Sequence, residues 1–356
     1  MFDLQKITRK NIINLKPYSS ARDEYEGNQG IFLDANENSF GALIHNEYNL
    51  NRYPDPHQKK LKEKIAEIES INSENIFLGN GSDEAIDLLF RAFAEPSIDT
   101  VLYCPPTYGM YEVSANINAI TPIEVPLTQD FELDIEKIRP HLNNPTLKLI
   151  FLCSPNNPTG NILNRENIMT ILKNFQGIVV IDEAYQDFSK EVSWIKEIEN
   201  YKNLVVLKTF SKSWGMANLR LGMAFASPEI IHIYNKIKPP YNINGETQRL
   251  VLEGLTDHKS RKYRAIDDII EEREKLSIKL KNLSFVQKVY KSDTNFLLIK
   301  VNNANQLYNY LISKQIIIRN RHTTLLCENC VRITIGTNTE NMMLMKHLLA
   351  FENSYS

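Results

Sequence analysis

Nowhere in these 356 residues does an apolar run approach the roughly 20 residues that a membrane-spanning helix needs. Charge of one sign is lacking too. The formal net charge of -2 gives no electrostatic reason for a nucleic acid or an anionic membrane to be the partner. The opening residues scatter Asp3, Lys6, Arg9 and Lys10 among apolar ones, so the uninterrupted apolar core of a secretory signal is missing and the cytoplasm is the expected location. Four cysteines are too few to staple a chain this long. Cys327 and Cys330 form a C-x-x-C pair, but a zinc site needs two more ligands. Cys104 and Cys153 are isolated and His322 is the only nearby histidine, so no metal is expected and the pair reads as incidental loop cysteines.

What is present is ordinary soluble composition, 42% hydrophobic and 24% charged, in a chain longer than one core usually supports. Two lobes around a shared cleft follow. The middle of the chain alternates apolar runs with helical patterns, the mark of an α/β fold with a mostly parallel sheet. Leu147–Cys153, Ile178–Ile181 and Leu204–Leu207 read as buried parallel strands, and Arg165–Phe175 as a crossover helix. A long helix over Arg261–Leu283 would join a smaller α/β lobe. That lobe has strands expected at Phe296–Val301, Ile316–Ile318 and Val331–Ile335, and helices at Leu307–Ser313 and Thr339–Phe351. The expected division is an N-terminal segment over 1–45, a large domain over 46–260 and a small one over 261–356.

Each central strand ends in polar residues: Ser154–Asn157, then Asp182–Glu183, then Thr209–Lys212. Open parallel sheets hold ligands just beyond the carboxyl ends of their strands, so the three clusters point to one site. A lysine on its own is usually a solvated charge. Lys212, placed after a buried strand, can instead be partly desolvated, which lowers its pKa and frees the neutral amine for imine chemistry. Asp182 offers a carboxylate to a protonated pyridine nitrogen, and Asn157 projects an amide from a turn. Arg220 is a permanent cationic fork suited to phosphate. The Gly79–Asn80–Gly81 turn leads into Ser82, Asp83 and a helix reaching about Ala94, whose first N–H groups suit a phosphate as well.

Taken in order, Gly79–Ser82, S-P-N-N-P-T-G, D-E-A-Y and S-K-S-W-G…R-L-G resemble the fold-type I aminotransferases, which depend on pyridoxal phosphate. The resemblance covers essentially the whole chain. It implies that Lys212 bonds the cofactor covalently, that Asp182 pairs with its ring nitrogen, and that Asn157 and Tyr185 hydrogen-bond its phenolic oxygen. By the same resemblance Tyr108 stacks on the ring, while Ser211, Arg220 and the backbone at Ser82 and Asp83 cradle the phosphate. The segments D-A-N-E-N-S-F-G, N-R-Y-P-D-P, P-T-Y-G-M-Y, K-P-P-Y-N-I-N and V-R-I-T-I-G-T resemble the histidinol-phosphate aminotransferase family more closely. Asp34 stands where relatives often carry Asn.

This second resemblance implies exchange of amino and keto groups between L-histidinol phosphate and 2-oxoglutarate in histidine biosynthesis. It also implies a homodimer in which Tyr53 reaches the neighbouring subunit's cofactor. An aromatic amino-acid aminotransferase and a threonine-phosphate decarboxylase share much of the pattern. A transcription regulator would need a DNA-binding module, for which the residues before Asp34 are too few. The substrate anions call for arginine. Arg332 alternates with Val331 and Ile333, so it should face the polar side of its strand, toward the cleft. Arg319, Tyr18, Arg22 and Asn36 are further candidates that the resemblance supports.

Overall fold

The computed structural model describes residues 2–20, 30–44, 49–257 and 259–355. Its larger sheet has seven strands: β1 (Ile76–Asn80), β2 (Thr100–Tyr103), β3 (Thr121–Glu124), β4 (Leu147–Cys153), β5 (Ile178–Asp182), β6 (Leu204–Thr209) and β7 (Leu221–Ala226). They lie in the order β1-β7-β6-β5-β4-β2-β3. All adjacent pairs are parallel except those that β7 makes with β1 and β6. The four-stranded sheet, in the order β10-β11-β9-β8, is antiparallel and built from β8 (Val286–Val289), β9 (Phe296–Val301), β10 (Arg319–Asn320) and β11 (Cys330–Thr334).

Apolar runs become central strands here because both faces of the large sheet are covered. Val179 and Ile181 of β5 point into one core cluster, while Ile178 and Val180 point into the other. Burying such a side chain contributes about 1.5–3 kcal/mol, so a run of four holds β5 firmly. Glycine is required where β7 passes the start of the helix Gly81–Phe93. A Cβ at Gly222 would lie 2.1 Å from the Ser82 backbone nitrogen. Only a residue without a side chain lets the strand and the helix N-terminus approach so closely.

The crossover helix runs over Arg165–Asn174 and is capped by Asn164, whose side chain accepts from Glu166 and Asn167 N–H groups. The long helix Lys259–Lys281 joins the two sheets. Buried Arg273 pins it at the junction, donating to the carbonyl oxygen of Thr294 at 2.9 Å and to that of Phe188 at 3.4 Å. The smaller lobe also holds helices Ala304–Ser313 and Asn338–Tyr355. One strand assignment fails. Ile316–Ile318 is not a strand, and pairing begins only at Arg319. Left-handed Gln315 turns the chain off the preceding helix, and Ile317 is left exposed instead of being paired. β-Branched composition alone cannot supply a ladder partner.

Candidate active site

In-register pairing of Cys153 with Asp182 and of Asp182 with Leu207 aligns the carboxyl ends of β4, β5 and β6 on one edge. β1 ends on the same edge, and β7, running the other way, begins there. Arg220 immediately precedes β7 in a left-handed conformation that is uncommon outside glycine. Antiparallel β7 is therefore what returns Arg220 to the Gly81 turn. One cleft is lined by Ser82, Asp83, Tyr108, Asn157, Asp182, Tyr185, Ser211, Lys212 and Arg220, together with Gly81, Cys153, Ala184, Thr209 and Ala217.

At the base of the cleft Asp182 is buried. It accepts the Tyr111 hydroxyl at 2.8 Å and the Ala184 N–H at 3.0 Å. Burial raises its pKa, and these two donors oppose the rise. Tyr111 was not singled out from the sequence, although it closes the P-T-Y-G-M-Y segment; its buried ring stacks on Phe151 at 4.8 Å. Above, the Lys212 amine stands 5.5 Å from the centre of the Tyr185 ring. Surrounding protein atoms and then the Arg332 charge lower its pKa, against the pull of Asp182 and Asp83.

The loop that carries Lys212 is anchored from behind by groups the sequence did not reveal. The Ser213 hydroxyl donates to Asp187, which also pairs with Lys262 at 2.7 Å and Lys208 at 3.3 Å. Burial works against ionising Asp187, yet the two lysines hold its carboxyl well below the usual range. Lys262 belongs to the long helix, so one ion network ties the junction between the sheets to the lysine loop.

Tyr108 donates to Asp83 at 3.0 Å, which turns its ring along the cleft wall. Asp83 also lies 3.6 Å from Arg220. From the small sheet comes Arg332, whose guanidinium donates to the Asn157 side-chain oxygen. That leaves the Asn157 amide N–H groups to donate into the cleft. Phe296 sits between the lobes, edge-on to Tyr185 at 5.2 Å and 5.1 Å from the Arg332 guanidinium carbon. Val331 and Ile333 face the small-lobe core, as the alternation required.

Other expectations fall outside this cleft. Arg319 is directly across from Arg332 in the ladder but exposed and does not line the pocket. Tyr18, Asn36 and Tyr53 are exposed and do not line it either. Arg22 lies outside the described residues. Cys327 and Cys330 are not loose loop residues. Both are fully buried in the core shared by the two lobes, and Cys330 opens β11. Among the described residues no cluster of side chains suits a metal ion.

Sheet, lysine loop and buried acid together define an aminotransferase of class I and II, and the sequence model of that family matches residues 28–348. Histidinol-phosphate aminotransferase of Flavobacterium johnsoniae is 52% identical over 350 residues, covering 98% of this chain and 98% of its own. The crystal structure of histidinol-phosphate aminotransferase from Clostridium acetobutylicum superposes with a TM-score of 0.79 at 26% identity, over 86% of this chain and 92% of that one. The Sinorhizobium meliloti enzyme, solved in complex with pyridoxal-5'-phosphate, has the same fold. Its TM-score is 0.78 at 21% identity, over 86% of this chain and 84% of its own. The chain belongs to the histidinol-phosphate aminotransferase family, and pyridoxal phosphate is its cofactor.

The residues present fit that group. Gly81 is at φ 70, and a Cβ there would lie 2.9 Å from Arg220 Nη2, so glycine keeps the space between the helix N-terminus and the guanidinium open for a phosphate. Buried Asp182 has two hydrogen-bond donors and a raised pKa, which suits a cationic ring N–H as its third partner.

Proposed function

We propose that this enzyme transfers the amino group of L-histidinol phosphate to 2-oxoglutarate, giving 3-(imidazol-4-yl)-2-oxopropyl phosphate and L-glutamate, in histidine biosynthesis. The observation that carries this reading is the position of Arg332. From the small sheet it donates to Asn157, which lines the cleft, and among the described residues it has no carboxylate partner. A guanidinium fork so placed takes either a phosphate or a carboxylate. In this reading residues 46–260 are the large domain, 261–356 the small one, and 1–45 an N-terminal segment joining the small domain and the cleft.

Bound pyridoxal phosphate supplies an electron-accepting ring that stabilises negative charge on the substrate carbon. Lys212 would hold the cofactor, and its free amine would take the proton from that carbon in the first half-reaction and deliver one to the corresponding carbon of the second substrate in the other. Asp182 keeps the ring nitrogen protonated. Asn157 and Tyr185 donate to the phenolic oxygen, and Tyr108 supports the ring face. Ser211, Arg220 and the N–H groups of Ser82 and Asp83 hold the phosphate. Arg332 binds the substrate anion, with Arg319, Tyr18 and Asn36, which do not line the cleft of this chain, and Arg22 as further candidates for that role.

Arg332→Lys keeps the charge but loses the planar fork, so kcat/KM for both half-reactions is expected to fall roughly tenfold to a hundredfold. Single-turnover absorbance follows each half-reaction separately. Turnover of phenylalanine or L-threonine phosphate above that of histidinol phosphate would overturn the substrate assignment itself.

The enzyme works as a cytoplasmic homodimer with Tyr53 completing the neighbouring site. Tyr53 is stacked on Tyr241 at 4.4 Å, outside its own cleft, and its N–H donates to Glu37 at 2.7 Å, in a segment where Ile31, Leu33, Phe40 and Leu43 are exposed. Exposed large apolar side chains grouped in one segment are the kind of surface a second subunit covers. Among the described residues no helix is long and apolar enough to cross a membrane. Mixing Lys212→Ala subunits with Tyr53→Ala subunits is expected to restore activity toward about a quarter of the wild-type site count, since half the dimers are mixed and each mixed dimer has one intact site. No recovery after confirmed subunit exchange would place Tyr53 outside the neighbouring site.

A further inference from the structure

Arg321 has a side chain with nothing to hold. It is half-buried, its Nε is buried without a hydrogen-bond partner, and among the described residues its side chain forms no hydrogen bond or ion pair. Arg332 Nε is orphaned in the same way, and among the described residues the exposed Arg319 side chain forms no hydrogen bond or ion pair either. The ladder brings the three arginines together. Arg319 is paired with Arg332, and the Arg321 N–H extends the ladder by donating to the Cys330 carbonyl at 2.9 Å. Residues two apart on a strand share a face, so Arg321 lies on the face of Arg319 and diagonally across from Arg332.

That face is the one turned to the large lobe. Leu298, in register with Arg332, belongs to the core shared with the large sheet, as does Cys330, opposite Arg321. Val331 and Ile333, on the other face, belong to the small-lobe core. Tyr185 registers the charges of Arg332 and Arg321 together, both opposing the effect of its burial. Like charges facing each other across a ladder destabilise it. Arg332 and Arg321, neither paired with a carboxylate among the described residues, lie beside exposed Arg319 and suit an anion, and orphaned buried N–H groups need such an explanation.

Resting on the substrate reading above, we propose that Arg321 is the specificity residue that makes this cleft prefer a phosphate monoester dianion to a carboxylate at the far end of the substrate. A carboxylate has one charge and two oxygens, which Arg332 and one neighbour satisfy. A phosphate monoester brings a second charge and a third oxygen, which gives Arg321 a partner of its own. Arg332 then serves both half-reactions, whereas Arg321 serves only the phosphorylated one.

The test uses the holoenzyme with Arg321→Gln and Arg321→Lys, their folding checked by bound-cofactor absorbance and melting temperature. Arg321→Gln should lower kcat/KM for histidinol phosphate roughly tenfold to a hundredfold, mainly through KM. The 2-oxoglutarate half-reaction and the slow reaction of unphosphorylated histidinol should change less than about threefold. Inhibition by inorganic phosphate, measured against histidinol, should weaken along with the first loss, and Arg321→Lys should recover part of both. An equal loss on phosphorylated and unphosphorylated substrates, or no loss at all, overturns the assignment. A wild-type enzyme indifferent to the phosphate on histidinol overturns the substrate reading instead.

Discussion

Lys212→Ala is expected to yield a folded protein that still binds pyridoxal phosphate but no longer bonds to it. The visible absorbance that reports the covalent link should vanish, and turnover should fall by at least about 10³-fold, the middle of the range of about 10²–10⁴ for losing a positioned acid–base group alone. Folding should survive. The lysine side chain stands in the cleft, whereas the anchor of its loop is Ser213 on Asp187, held in turn by Lys208 and Lys262. Borohydride reduction separates the outcomes. Cofactor trapped on another lysine of the variant would show that Lys212 is not the bonding residue.

Asp182→Asn should be nearly as damaging with less change of shape. It removes the negative charge that, in the role proposed above, keeps the ring nitrogen protonated. A loss of three to five orders of magnitude in proton transfer corresponds to about 4–7 kcal/mol. The change also disturbs two hydrogen bonds, from Tyr111 and Ala184, so a control is needed. Tyr111→Phe removes one of those donors and keeps the charge, for about 1 kcal/mol or roughly a fivefold effect. Its pH dependence has a definite sign. The Tyr111 hydroxyl lowers the Asp182 pKa against burial, so its loss lets that pKa rise further, and the ionised form is lost sooner as pH falls. The acid limb of the rate profile should therefore move to higher pH. An Asp182→Asn enzyme within about tenfold of wild type would place the partner of the ring nitrogen elsewhere.

The central site was legible because its residues lie at the ends of continuous apolar runs. A run such as I-V-V-I-D or L-V-V-L-K-T announces a buried strand, and the polar residue that ends it is at the sheet edge wherever the strand lies. Lys212, Asp182 and Asn157 are found this way without knowing strand order. Tyr111, Asp187 and Lys262 are not, because each acts from a helix, a short turn or the far side of the loop, and no local pattern separates a tyrosine that buttresses an acid from one that fills a core. Similarly, Arg319 and Arg321 belong to one I-I-I-R-N-R segment. The apolar run predicted a strand before them, whereas the ladder forms at the arginines and places both on the face of Arg332.

What the sequence by itself determined is therefore the chemistry: a lysine, a carboxylate and an amide at three strand ends, with a phosphate-suited turn and arginine. These follow from local hydrophobic pattern and residue type, which every strand carries with it. The tertiary structure decided how they meet. That Arg220 reaches the Gly81 turn depends on β7 running antiparallel between β1 and β6. That Arg319, Arg321 and Arg332 share one face of the small sheet depends on the register of β10 with β11 and on which side of that sheet the helices cover. Direction and register are set by contacts between segments far apart in the chain, and a local pattern does not encode them.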